Sequence, residues 1–208
     1  MRVTDESRAT SLPALIAGVF LAVSVRAYAH AETGVAGGLI SGLLHPVTGL
    51  DHLVAMVAVG IWGAQLGRPA IWILPVTFPM IMALGGLLGL SGLPISSVLV
   101  EFGIAFSAVT LGLLVALQLR VPLWGAAVIV GVFGLCHGHA HGAELPSAVN
   151  PLAYGVGFVV ATGLLHLCGI LLGELKRFSA GEKVIRVTGV LIAVLGLGFV
   201  TLNLIELF

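Results

Sequence analysis

Of 208 residues, 59% are hydrophobic and only 9% are charged, so the chain cannot assemble a water-soluble surface, and the solvent for most of it is lipid. Formal net charge is zero, which leaves no basic field to attract nucleic acid or acidic substrates. The two cysteines, Cys136 and Cys168, lie in apolar stretches and read as small core residues, silent on redox compartment.

The N-terminus carries Arg2 and Arg8, then an apolar run from Leu12 to Val25, then the small-x-small pattern Ala27-Tyr28-Ala29. That order predicts a cleavable secretory signal peptide over 1–29, the alternative being an uncleaved extra helix. Cleavage after Ala29 would make His30 the first mature residue, with a free amine and an imidazole together outside the membrane. Residues 30–208 then form one membrane domain.

Six apolar segments follow, near 35–66, 70–90, 97–118, 122–143, 151–173 and 185–206, each long enough to cross about 30 Å of hydrocarbon as a helix. The breaks fall at Gly67-Arg68-Pro69, Ser91 to Pro94, Arg120-Val121-Pro122, Pro146 to Pro151, and the charged stretch Glu174 to Arg186. The predicted fold is therefore an all-α, polytopic membrane bundle of six transmembrane helices behind the signal peptide. Every basic residue after position 29, namely Arg68, Arg120, Lys176, Arg177, Lys183 and Arg186, falls in the first, third or fifth loop. Because cytoplasmic loops collect Lys and Arg, this places both mature termini in the periplasm and the protein in a bacterial inner membrane.

Most of the 29 glycines suit close helix approach. Pro46 and Gly49 are different, because a proline removes a backbone bond and is expected to unwind the first span near its middle. A broken helix at membrane depth tends to line a site.

Ionisable residues within spans cost roughly 2.5 to 3.5 kcal/mol each on insertion scales, so they are rare unless they pair or function. Here they gather in two motifs. The first span reads His45-Pro46-Val47-Thr48-Gly49-Leu50-Asp51-His52; on an unbroken helix His45 and His52 would lie two turns apart on nearly one face. Asp51 adds a carboxylate that either ligates or accepts the second N–H of a liganding histidine. The fourth span ends Cys136-His137-Gly138-His139-Ala140-His141-Gly142-Ala143-Glu144, where His137, His141 and Glu144 share a face and His139 points away.

The first span runs inward and the fourth outward, so His45 and His141 fall in the outer half and Asp51, His52 and His137 deeper. The expected arrangement is a ladder of ligands leading inward from the outer surface. Glu101 in the third span and His166 in the fifth are further candidates, each with a locally satisfied polar residue as its alternative. The thiolate pairs of a structural zinc site are absent. Imidazole with carboxylate suits Ni, Co, Zn or Cu(II), which ligand type alone does not separate. A catalytic zinc with Glu144 or Asp51 activating water is the main rival reading, and a metal-sensing subunit of a larger membrane complex is a second. No phosphate-binding loop is present to suggest ATP drive. Three spans followed by three, with a metal motif opening each half in opposite directions, fit an inverted repeat.

At these residues the chain resembles the HupE/UreJ family of nickel and cobalt permeases, whose marks are H-x5-D-H in the first mature span and F-H-G-x-A-H-G-x-E in the fourth. His45, Asp51 and His52 match the first; His137, Gly138, Ala140, His141, Gly142 and Glu144 match the second, with Cys136 in place of the aromatic residue. The resemblance runs from the signal onward and includes Glu101 in a Glu-x-Gly-Ile-Ala stretch. It implies secondary transport or facilitated import of Ni2+ or Co2+, without a prosthetic group, toward hydrogenase or urease assembly, with their maturation proteins as partners. Cys136 either adds a softer ligand or replaces an aromatic packing residue. The mature N-terminus lacks the longer His-rich run of some members, so capture outside would rest on His30.

Overall fold

The computed structural model describes residues 34–145 and 149–207; the signal-peptide expectation and His30 lie outside them. The regular elements are α1 (Gly34–Thr48), α2 (Leu50–Leu66), α3 (Ala70–Leu90), α4 (Ser97–Ala116), α5 (Leu123–Ala143), α6 (Pro151–Gly173), a 3-10 turn (Glu174–Arg177) and α7 (Gly181–Ile205). Among the described residues there is no strand, only an isolated bridge between Gly34 and Val149. α3 to α7 are each long and apolar enough to span, and the bent pair α1 and α2, counted as one broken span, makes six.

The break falls where Pro46 and Gly49 were expected to unwind the first span. At Gly49 the backbone turns extended (φ −80°, ψ 104°), and α1 and α2 diverge by 77°. Pro46 lies one turn before it, inside α1. The Thr48 hydroxyl takes up the Leu44 and His45 carbonyls at 3.2 Å, and the Asp51 carboxylate accepts the His52 backbone N–H at 2.9 Å. The Asp51 side chain thus takes up an N–H at the start of α2 that has no ladder partner. A carboxylate in the first turn also suits the positive end of the α2 dipole.

Two other boundaries shift for local reasons. α4 stops at Ala116 because Gln118 takes a positive φ of 53°. α7 starts at Gly181, ahead of the apolar run, because its charged first turn with Glu182 is helical as well. α6 begins with Asn150 capping the Ala153 N–H at 2.9 Å and Pro151 at the first helical position, where a missing N–H costs nothing.

α2 is the central column. Its residues Ala55, Met56, Ala58, Val59, Ile61, Trp62 and Ala64 are wholly buried, as expected for a helix apolar on all sides, and it packs against α3, α4, α6 and α7. The Trp62 indole donates to the Leu119 carbonyl at 3.0 Å, and the Gln65 amide to that of Val115 at 3.0 Å. Exposed side chains such as Leu152, Trp124 and Leu99 belong to the outer, apolar face of the bundle.

Three glycine seams bring helices into backbone contact. Gly42 and Gly157 join α1 to α6, and Gly60 and Gly169 join α2 to α6; Gly85, Gly138 and Gly142 join α3 to α5; Gly112, Gly189 and Gly196 join α4 to α7. At each of these positions a Cβ would press into a facing main chain, the close approach that small residues permit between membrane helices. Numbering spans one to six, the seams pair one with five, two with four, and three with six. Exchanging the first three spans with the last three maps the first two pairs onto each other and the third onto itself.

Arg120, Lys176 and Glu182 line one pocket with Gln65 and Gln118. Lys176 donates to the Ala64 carbonyl and Arg186 to Gln118, so the ends of α2, α4 and α6 and the start of α7 form one basic face. Gly34, Val149 and the 91–96 loop lie at the other end.

Candidate metal site

The bend at Gly49 swings the last turn of α1 back over the first turn of α2, leaving the His45 and His52 rings 5.8 Å apart between centroids. α5 comes alongside and inserts His141, 4.6 Å from His45 and 4.4 Å from His52. One ring nitrogen from each of His45, His52 and His141 lies within 4.8 Å of the other two. The Nε2 atoms of His52 and His141 face one another directly. Imidazole–metal bonds are about 2.0–2.1 Å, as for zinc, so a shared ion would draw these three nitrogens to one point through small shifts of the side chains.

The site is graded in exposure. His52 is buried, His141 half-buried and His45 partly exposed. Phe158 packs against His141 at 4.5 Å, and Tyr154 stands 6.1 Å from His45, so α6 supplies an aromatic wall. His141 also borders an apolar cleft of about 620 Å³ between α3, α5 and α6.

Asp51 Oδ1 stands 3.1 Å from His52 Nδ1. This contact is off the hydrogen-bond line, and Nδ1 has no aligned partner among the described residues; the interaction is electrostatic. It favours a proton on Nδ1, which leaves the Nε2 lone pair free to ligate.

His137 lies one turn below His141, its ring 4.7 Å from His52. Its Nδ1–H donates to the Phe133 carbonyl at 2.9 Å. A carbonyl only accepts, so Nε2 is the bare nitrogen, and it is buried with no partner among the described residues. The expected ladder becomes a three-histidine group with His137 beneath it.

The remaining candidates stand apart. Glu144 is the exposed C-cap residue of α5, its backbone N–H on Ala140. Glu101 is half-buried on α4. His139 points away from the group and reaches the Leu93 carbonyl at 3.4 Å, tying α5 to the 91–96 loop. Cys136 faces α4, where a Cβ on Gly103 would lie 2.6 Å from its sulfur; of its two readings the packing role fits that position. His166 is buried on α6. Phe78, with His137 at 5.4 Å and His166 at 5.6 Å, escaped sequence reasoning because one aromatic in an apolar run carries no signal.

The family model described as HupE / UreJ protein matches residues 18–199. The chain is 46% identical over 176 residues to Protein HupE of Rhizobium leguminosarum bv. viciae, an alignment covering 84% of this chain and 91% of that one. No solved structure matches it.

Proposed function

The chain belongs to the HupE/UreJ family, and from that premise we propose that it imports Ni2+ or Co2+ across the bacterial inner membrane. The observation that carries this reading is the convergence of His45, His52 and His141, drawn from both sides of a broken span and from a third helix. Three neutral imidazoles attract a borderline divalent ion, and an incomplete shell leaves positions for water, so the ion can leave again.

Asp51 supplies negative charge beside His52, offsetting part of the cost of a divalent ion at membrane depth. The ion sheds water at His45 and His141, passes to His52 and His137, and leaves at the basic face, which by charge is cytoplasmic. Glu144 and Glu101 act at the outer mouth, where carboxylates concentrate cations. His30, on the preceding segment, captures metal before entry. The seam pairing supports two exchanging halves, with the site on the two spans that the exchange interconverts, and so alternating access by rocking. Delivery to hydrogenase or urease maturation proteins would follow at the cytoplasmic side.

Uptake of radiolabelled Ni2+ or Co2+ by liposomes holding the purified protein tests this reading. Uptake that requires the protein and is lost in His52→Ala and His141→Ala supports it. Uptake equal to empty liposomes sinks it.

A further inference from the structure

Below His137 the bundle contains two more polar groups for which neither packing nor secondary structure accounts. His166 is 1% exposed and Thr162 is wholly buried. Both His166 ring nitrogens and the Thr162 hydroxyl lack a hydrogen-bond partner among the described residues. They lie one turn apart on the same face of α6. Two other helical threonines bond back to the carbonyl one turn earlier, Thr188 to Val184 at 2.9 Å and Thr201 to Leu197 at 2.8 Å. Thr162 does not, so its hydroxyl is unspent.

Phe78 stands between the outer site and His166, its ring 5.4 Å from His137 and 5.6 Å from His166. At 1.5 Å per residue, His137 lies roughly 21 Å, Thr162 roughly 17 Å, Phe78 roughly 12 Å and His166 roughly 10 Å from the basic-face ends of their helices. The ring is wholly buried. Its turn of α3 is flanked by Pro75 and Pro79. Neither proline can donate a backbone bond, so the Ile71 and Pro75 carbonyls lose their α3 partners, and this turn is the loosest part of the helix. The Pro75 carbonyl approaches His166 without reaching hydrogen-bond geometry.

We propose that His166, with Thr162 one turn outward on the same face of α6, forms a second, inner station for the transported divalent cation, with the Phe78 ring between His166 and the three-histidine site. The inference rests on the import reading above. An ion held at His52 and His137 passes inward when the proline-flanked turn carries Phe78 aside. The His166 imidazole and Thr162 oxygen then receive it, with water completing its shell. The closed ring keeps the stations from being joined continuously.

His166→Gln and the near-isosteric Thr162→Val, in the full chain, test the inner station through two readouts with Ni2+ alone: equilibrium binding in detergent and uptake into liposomes. Expected is binding within about twofold of the parent, because the outer histidines are untouched, with uptake by His166→Gln lowered at least about tenfold and by Thr162→Val less. Parent-like uptake in both variants overturns the proposal. So does loss of binding in step with uptake, which marks His166 as a structural support of the outer site. Import itself fails only if the parent takes up no metal, so the two failures are distinguishable.

Discussion

His52 and His141, 89 positions apart, bring their Nε2 atoms face to face between α2 and α5. With Asp51 favouring a proton on the far nitrogen of His52, the facing nitrogen presents a lone pair. A second imidazole nitrogen aimed at the same point makes this a place for a shared proton or a metal ion.

His52→Ala and His141→Ala should each weaken Ni2+ or Co2+ binding by at least about 10- to 100-fold, the loss that changing even an outer-shell partner of a ligand typically causes. Equilibrium dialysis in detergent measures it. His139→Ala should bind as the parent does, because its imidazole bonds to the Leu93 carbonyl away from the group. Affinity for metal should fall as the medium is acidified, since a proton and a metal compete for the same lone pair. Equal affinity in all three variants would remove the site from this position.

Asp51 has two tasks that substitution separates. Asp51→Asn keeps an oxygen for the His52 backbone N–H but loses the charge beside the ring, so thermal stability should hold while metal affinity drops about tenfold. Asp51→Ala should lose both, with an added loss of about 1 kcal/mol in stability from the missing hydrogen bond to the His52 N–H. Thermal unfolding in detergent beside metal titration resolves the two; metal affinity in Asp51→Asn equal to the parent's would show that the charge is irrelevant.

The glycine seams predict a sharp contrast. Gly138→Ala or Gly42→Ala places a methyl against the Met82 or Tyr154 carbonyl across the seam, and should cost about 1–3 kcal/mol through forced separation of the helices. Gly155→Ala and Gly163→Ala, with nothing within 4 Å of the new methyl, should be neutral or stabilising by up to about 1 kcal/mol through helix propensity. Thermal unfolding of the four variants checks the order, which fails if the two pairs behave alike.

Orientation follows from the basic face and is open to labelling. In a background free of Cys136 and Cys168, Lys183→Cys should react with a membrane-impermeant maleimide only in inverted vesicles, and Ser91→Cys only from the periplasmic side. The opposite pattern would reverse the import direction.

By itself the sequence determined the membrane class, the span limits and the two ligand motifs. Those follow from hydropathy and from local spacing, which survive without knowledge of neighbours: α3 at Ala70–Leu90 and α6 at Pro151–Gly173 end where the apolar segments do. Pro46 and Gly49 likewise marked the break in advance, because the backbone bond that proline lacks is a local property.

Tertiary structure decided the rest. The 77° bend and the α3–α5 and α2–α6 seams fix which imidazoles converge, and convergence depends on helices whose contacts are far apart in the chain. The same packing put His45, His52 and His141 in one group, left Glu144 exposed at the end of α5 and turned Cys136 toward Gly103. It also set Phe78 between His137 and His166. Spacing places residues on a helix face, whereas only the packed bundle determines what that face meets.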